Sequence, residues 1–221
     1  QPTTDVVVQF VSADTGEVTV TSLLTFTSAN WDTAQTVTVT GVDEDFVDQD
    51  QTTIITASIL DVSSDDNFDA VADQTVSVTT TDDDVAGFTI AETEGSTGVD
   101  ESGSTDLFTV VLTGRPITDV AFSISSSDST ETSVTSSLTF TSENWNTPQN
   151  VTVTGLDDDI IDGTQTSTIT VSIDDTNSDN SFDPINDQTV SATNADDDVA
   201  GFTVSEPDGS TTVTEAGGTD T

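Results

Sequence analysis

The chain repeats itself at a period of 114 residues, and that repeat bounds what it can fold into. The string DDDVAGFT runs from Asp82 and again from Asp196. Trp31 in TSANWDTAQTVTVTG has its match at Trp145 in TSENWNTPQNVTVTG. Aligning residues 1–84 with 115–198 leaves more than half of the positions identical. In this frame Gln1 falls opposite Arg115 and Thr221 opposite Leu107, so two periods are present short of the seven positions from Phe108 to Gly114. The phase predicts three pieces. Residues 1–84 are a first unit without its own N-terminal strands, residues 85–198 a complete unit, and residues 199–221 the N-terminal strand segment of a third. A natural domain boundary would not fall at those points, so the chain reads as a window on a longer array of near-identical units. The same phase allows a second arrangement, in which the 199–221 tail of one molecule completes the open first unit of another by strand addition.

Inside the complete unit, apolar residues alternate with Thr and Ser over short runs, the period of a strand with one buried face. Phe108, Val110 and Leu112 share a face, as do Val120, Phe122 and Ile124, then Leu138 and Phe140, Val151 and Val153, Ile169, Val171 and Ile173, and Val190 and Ala192. Thr and Ser suit the outward positions. No segment shows helical spacing over a useful length. Seven or so strands in 114 residues predict an all-β chain of tandem Ig-like Greek-key β-sandwich repeats. Trp31 and Trp145 precede a strand in each unit; they are expected to plug a sandwich corner, with a sugar-stacking platform as the functional alternative.

Charge narrows the function classes. The 221 residues carry 42 Asp or Glu against one Lys or Arg and no His, a net charge of -41. Such a charge opposes compaction unless salt screens it or bound cations neutralise it locally. Nucleic acid is excluded as a partner, because phosphates would be repelled. Membrane insertion is not expected either, since no apolar run approaches the roughly 20 residues that span a bilayer. No signal peptide is visible and position 1 is Gln1, so the segment is expected to be internal or processed. Without His or Cys, the usual ligands for zinc and copper and the usual general base and thiol nucleophile are missing.

The acids cluster. One run, LDDDIID, supplies Asp157, Asp158, Asp159 and Asp162, with Asp43, Glu44, Asp45 and Asp48 as its counterpart in VDEDFVD. A second is the triple Asp196, Asp197 and Asp198, matched by Asp82, Asp83 and Asp84. The third element is one early acid, Glu101 or Glu215, and Asp14 and Asp128 add a matched acid after the second strand. Ca²⁺ takes 6–8 oxygen ligands, and carboxylates converging from several loops are how a sandwich supplies them. The competing reading is a metal-free, solvated acidic face of a halophilic protein, which accounts for scattered acids such as Asp174, Asp175 and Asp179.

The succession of an early Glu, LTFTSENW, VTVTGLDDD and a closing DDD resembles the Calx-β family, and the tandem repeats of giant bacterial surface proteins such as calcium-dependent biofilm adhesins. The resemblance implies Ca²⁺ at one end of each sandwich, beside the junction with the following domain. The ligands it implies are Glu101, Asp128, Asp157, Asp159, Asp162, Asp196, Asp197 and Asp198 in the complete unit. In the first unit they are Asp14, Asp43, Asp45, Asp48, Asp82, Asp83 and Asp84, and the early Glu of that unit would precede Gln1. The function expected from this is a structural extender or filament segment at a bacterial cell surface, rigidified by Ca²⁺, with neighbouring repeat units of the same or identical chains as partners and no catalytic role. An adhesive or carbohydrate-binding module is the alternative from another class. A hydrolase using paired carboxylates is disfavoured because the pairs recur in every unit among many other acids.

Overall fold

The computed structural model describes residues 1–206, 209 and 211–219; residues 207, 208, 210, 220 and 221 of the expected third segment lie outside the described residues. The fold is β throughout. The only helical pieces among the described residues are single 3₁₀ turns, and none is long and apolar enough to cross a membrane.

Residues 85–198 hold nine strands: β7 (Phe88–Glu92), β8 (Thr97–Asp100), β9 (Thr105–Leu112), β10 (Val120–Ser126), β11 (Thr132–Val134), β12 (Ser137–Phe140), β13 (Gln149–Gly155), β14 (Gln165–Ile173) and β15 (Gln188–Ala195). One sheet runs β12-β10-β14-β15-β8 and the other β11-β13-β9-β7. All pairings are antiparallel except β15 with β8, where Asn194 lies opposite Val99. The alternation works as the sequence predicts: Phe108, Val110, Val120, Phe122, Phe140, Val151, Val153, Ile169 and Val171 are buried between the sheets. Phe122 is the hub, edge-on to Phe88 at 5.0 Å and to Phe140 at 5.7 Å, the geometry aromatic quadrupoles favour. Trp145 packs against this core as the expected plug.

Residues 1–84 fold with the same registers but fewer strands. Here β1 (Val6–Ser12), β3 (Leu23–Phe26), β5 (Gln51–Ile59) and β6 (Gln74–Thr80) form the sheet β3-β1-β5-β6, while β2 (Val18–Val20) pairs only with β4 (Val39–Gly41). Val6 opposes Phe26 as Val120 opposes Phe140. β4 spans three residues where β13 spans seven, because β13 has β9 beside it to hold its N-terminal half. Trp31 stands exposed for the same reason.

The two sets of strands meet through the loop after β4. Arg115 N–H donates to the Asp45 carbonyl (2.8 Å) and Val47 N–H to the Arg115 carbonyl (2.9 Å). The Arg115 guanidinium lies 4.1 Å from the centroid of the Phe46 ring, and its Nε donates to the Ser142 carbonyl (2.9 Å). A cation over an aromatic face contributes about 0.5–2 kcal/mol, and here the single basic side chain of the protein supplies it. Val47 is buried with the core of residues 85–198. Ser181 Oγ donates to its carbonyl (3.3 Å). A Cβ on Gly114 would stand 2.5 Å from Val47 Cγ2, so the joint needs glycine for room.

Candidate functional site

Two carboxylate groups gather where strands end. β8 is the edge strand of its sheet and runs parallel to β15, so the residue after β8 arrives beside the residues after β15. Glu101 N–H donates to the Ala195 carbonyl (3.1 Å), and Glu101 Oε2 accepts from Asp197 N–H (3.3 Å). Asp196 spans the turn: its Oδ1 accepts from Asp198 N–H and its Oδ2 from Gly163 N–H, both at 2.7 Å. Carboxylate oxygens of Glu101, Asp196 and Asp198 lie within 4.8 Å of one another. Glu101 is only 1% exposed. Asp198 Oδ2 is buried with no hydrogen-bond partner.

Three anionic side chains in one partly dry spot oppose each other. Burial, with Asp196, Asp158 and Asp162 nearby, raises the Glu101 carboxyl above its ordinary pKa. Asp198 is raised by burial and by Asp196, Asp159, Asp197 and Asp158. A buried carboxylate oxygen lacking a donor is costly, and a hard divalent cation is the partner that removes the cost. The residues fit Ca²⁺: all offer oxygen ligands, they come from two loops, those after β8 and after β15, and one buried carboxylate oxygen is unclaimed.

In residues 1–84 a different trio converges, Glu17, Glu44 and Asp48, again within 4.8 Å; its repeat matches are Glu131, Asp158 and Asp162, not Glu101, Asp196 and Asp198. Asp82, Asp83, Asp84 and Asp43 line the same crevice. Asp82 repeats the bracing of Asp196, accepting from Gln49 N–H (2.7 Å) and Asp84 N–H (2.8 Å). Burial and the neighbouring Asp82, Asp83, Asp45 and Asp43 raise Asp84. Burial, Asp48, Glu17 and Asp84 raise Glu44, against the lowering effect of the Phe46 amide it accepts from.

The structure thus brings together Glu101, Asp196 and Asp198, with Asp197, Asp159 and Asp162 close enough to act on them. Asp14 and Asp128 stand apart from both groups and close local turns instead. Asp128 Oδ1 accepts from Thr130 N–H (3.0 Å) and Thr130 Oγ1 (2.6 Å), and Asp14 Oδ1 from Gly16 N–H (2.8 Å). Asp157 belongs to neither converging trio, and Glu215 is exposed in the C-terminal segment. Glu17 escaped sequence reasoning, although its match Glu131 sits at the same backbone position: Val42 N–H donates to the Glu17 carbonyl as Leu156 N–H does to that of Glu131. Glu131 makes a different contact, with its Oε2 accepting from Asn194 Nδ2 (3.2 Å). Position 80 offers Thr in place of that amide, and Glu17 joins the acids.

Asp179 and Asp65 show what a satisfied carboxylate looks like. Asp179 Oδ2 accepts from the Ile117 (2.8 Å) and Thr118 (2.9 Å) amides, and Asp65 Oδ2 from Thr3 N–H (2.6 Å) and Thr3 Oγ1 (2.6 Å). Asp179 is therefore a buried loop pin, not part of the solvated acidic surface the sequence suggested. Burial pushes its pKa up but the amides outweigh it, and the Thr3 hydroxyl leads the lowering of Asp65. These two populations give a pH signature. Raised groups bind protons more tightly folded than unfolded, so metal-free protein is expected to gain stability as pH falls from about 7 into the carboxylate range. Lowered groups act oppositely: Asp65 and Asp179 withdraw stability only as pH drops below their ordinary value. Melting curves in chelator across this range check it, and a midpoint that falls steadily from neutral pH downward contradicts it.

No protein-family model matches the chain, and no curated protein matches it. Among solved structures it is similar to a Bacteroides ovatus GH5 xyloglucanase in complex with a heptasaccharide (17% identity over 52% of this chain and 20% of that one, TM-score 0.35). It is also similar to surface layer protein SbsC, domains 1-6 (15%, covering 86% and 20%, TM-score 0.41). A third likeness is to calcium binding domain CBD12 of CALX1.1 (15%, covering 76% and 68%, TM-score 0.32). The chain spans about a fifth of the length of the first two. These are distant likenesses, and the acidic groups stand on their own geometry.

Proposed function

We propose that this chain is a load-bearing spacer of a bacterial extracellular or cell-surface protein, whose joints between sandwiches are stiffened by Ca²⁺, and that it performs no catalysis. The observation that carries the reading is the double use of one loop. Between Asp43 and Asp48, Glu44 and Asp48 face the carboxylate group with Glu17, while Phe46 and Val47 are seated on the following sandwich. A cation drawing Glu44 and Asp48 together fixes the ends of a segment whose middle grips the next unit. Glu17, Glu44, Asp48, Asp82 and Asp84 would hold the ion at this joint, and Glu101, Asp196, Asp198 and Asp162 the one at the end of the complete unit. The ion supplies charge neutralisation; the chain supplies the braced oxygens and the lever.

Spin labels test this directly, since the chain has no cysteine of its own. With Thr52→Cys and Thr166→Cys, both exposed and one in each sandwich, Ca²⁺ is expected to narrow the distance distribution severalfold relative to chelator. Val47→Ala should keep the distribution broad in Ca²⁺. A distribution indifferent to Ca²⁺, or narrowed equally by Mg²⁺, means that the acids are a solvated surface and the joint is not ion-controlled.

A further inference from the structure

Strands β1, β3, β5 and β6 carry no Asp or Glu. The outward face of their sheet is therefore free of the charge that crowds the loops, in a chain with 42 acids against one base. Alternation decides which side chains stand on it. Val6 and Ile55 point inward and are buried, which turns Val11 and Ile54 to the outside. Leu23 lies opposite Gln9, and Val11 opposite Thr56. Leu23, Val11 and Ile54 thus form a diagonal across β3, β1 and β5, close enough for long side chains to meet. They are 47%, 49% and 40% exposed.

Folding does not call for apolar side chains at these places. Their matches in the complete unit are Ser125, Ser137 and Thr168, all exposed on the same outward face. The registers are nevertheless shared, with Ser125 opposite Thr170 as Val11 is opposite Thr56. The face is open in the unit that has all nine strands, so the smaller strand number of residues 1–84 does not create it. An exposed apolar cluster without a folding role marks a contact surface. Charge selects what meets it. A basic partner would be drawn to the acidic loops instead, and a polyanion would be repelled by them. A second copy of this chain is repelled at its loops as well, and can come close only where neither surface is charged. This sheet face meets that condition on both copies at once.

We infer that two copies of this chain pair side by side through the outward face of β3-β1-β5-β6, with Val11 at the centre and Leu23 and Ile54 of each copy on its flanks. A two-fold axis lets one patch serve both partners. Four strands about 4.8 Å apart, with about six residues each at about 3.3 Å, give roughly 400 Å² per copy. That is about half of the roughly 800 Å² per partner in a standard interface, so the contact is weak and reversible. Salt strengthens it, because screening removes the repulsion between the acidic loops and leaves the apolar contact in place. No ion takes part, and the pairing stands independently of the calcium reading above.

Analytical ultracentrifugation of the full chain, in chelator, is the test. At about 0.5 M NaCl, where charges are screened within about 4 Å, the average mass is expected to climb toward that of a dimer as protein approaches about 1 mM. The triple variant Val11→Ser, Leu23→Ser, Ile54→Thr carries the side chains that the complete unit already tolerates at these positions. It should raise the dissociation constant roughly tenfold or more in the same salt. Thr25→Glu, a single change at an exposed position of the same face, should also weaken pairing, and most at low salt where the new carboxylates repel. A chain that stays monomeric at about 1 mM in salt overturns the inference. So does association that neither variant weakens. Association seen only with Ca²⁺ overturns it too, since that outcome means the acidic loops are bridged by the ion and the sheet face is not used.

Discussion

Millimolar Ca²⁺ is expected to raise the melting temperature of the complete sandwich by roughly 10–20 °C at low ionic strength. The size follows from mass action. An ion present at about 100 times its dissociation constant and bound only by the folded state stabilises by about 2.7 kcal/mol. For a domain of this length each kcal/mol shifts the midpoint by about 4–8 °C. Mg²⁺ should do much less, because it demands a compact octahedron and keeps its waters. Glu101→Gln should remove most of the calcium response while raising the metal-free midpoint, since it deletes a buried charge held against Asp196 and Asp198. An equal response to Mg²⁺ and to plain salt would mean that screening of a chain of net charge -41, not ligation, is being measured.

The second large effect is steric. Gly155→Ala is expected to destabilise the complete sandwich by about 3 kcal/mol or more, at the upper end of overpacking costs. The new methyl would collide with the Asp100 carbonyl at 2.1 Å and Asn194 Oδ1 at 2.7 Å, both held in the β8–β15 pair. Backbone and a buried amide cannot swing aside. Gly41→Ala, in the same sequence context VTVTG, should be neutral or stabilising by about 0.4–1 kcal/mol through the unfolded chain. Urea unfolding of the two variants decides it. Equal losses at both positions would show that glycine is kept there for backbone conformation and not for a strand's approach.

The long strands were legible because they alternate apolar with Thr or Ser: β9, β10, β13, β14 and β15 fall where that period places them. β8 was not, since TGVD carries one apolar side chain and owes its strand form to β15. β11 escaped for the same want of a repeating period, and Phe182, fully buried, lies in a loop where alternation has no meaning. At the site, the meeting of Glu101 with Asp196 and Asp198 follows once a parallel strand is known to end there. Glu17 could have been found from its repetition as Glu131, but what separates the two, Thr80 against Asn194, lies across the sandwich. Sequence order also could not reveal that Asp179 is buried under amides while Asp198 is buried without them.

Val47 completes a core that is not its own. Under tension, one sandwich cannot unravel without pulling that side chain out of the next, so damage at one joint would spread as a row of dominoes does. A lock on the Asp43–Asp48 loop would work as a firebreak, and an array built this way would yield in steps whose height depends on how firmly each loop is held.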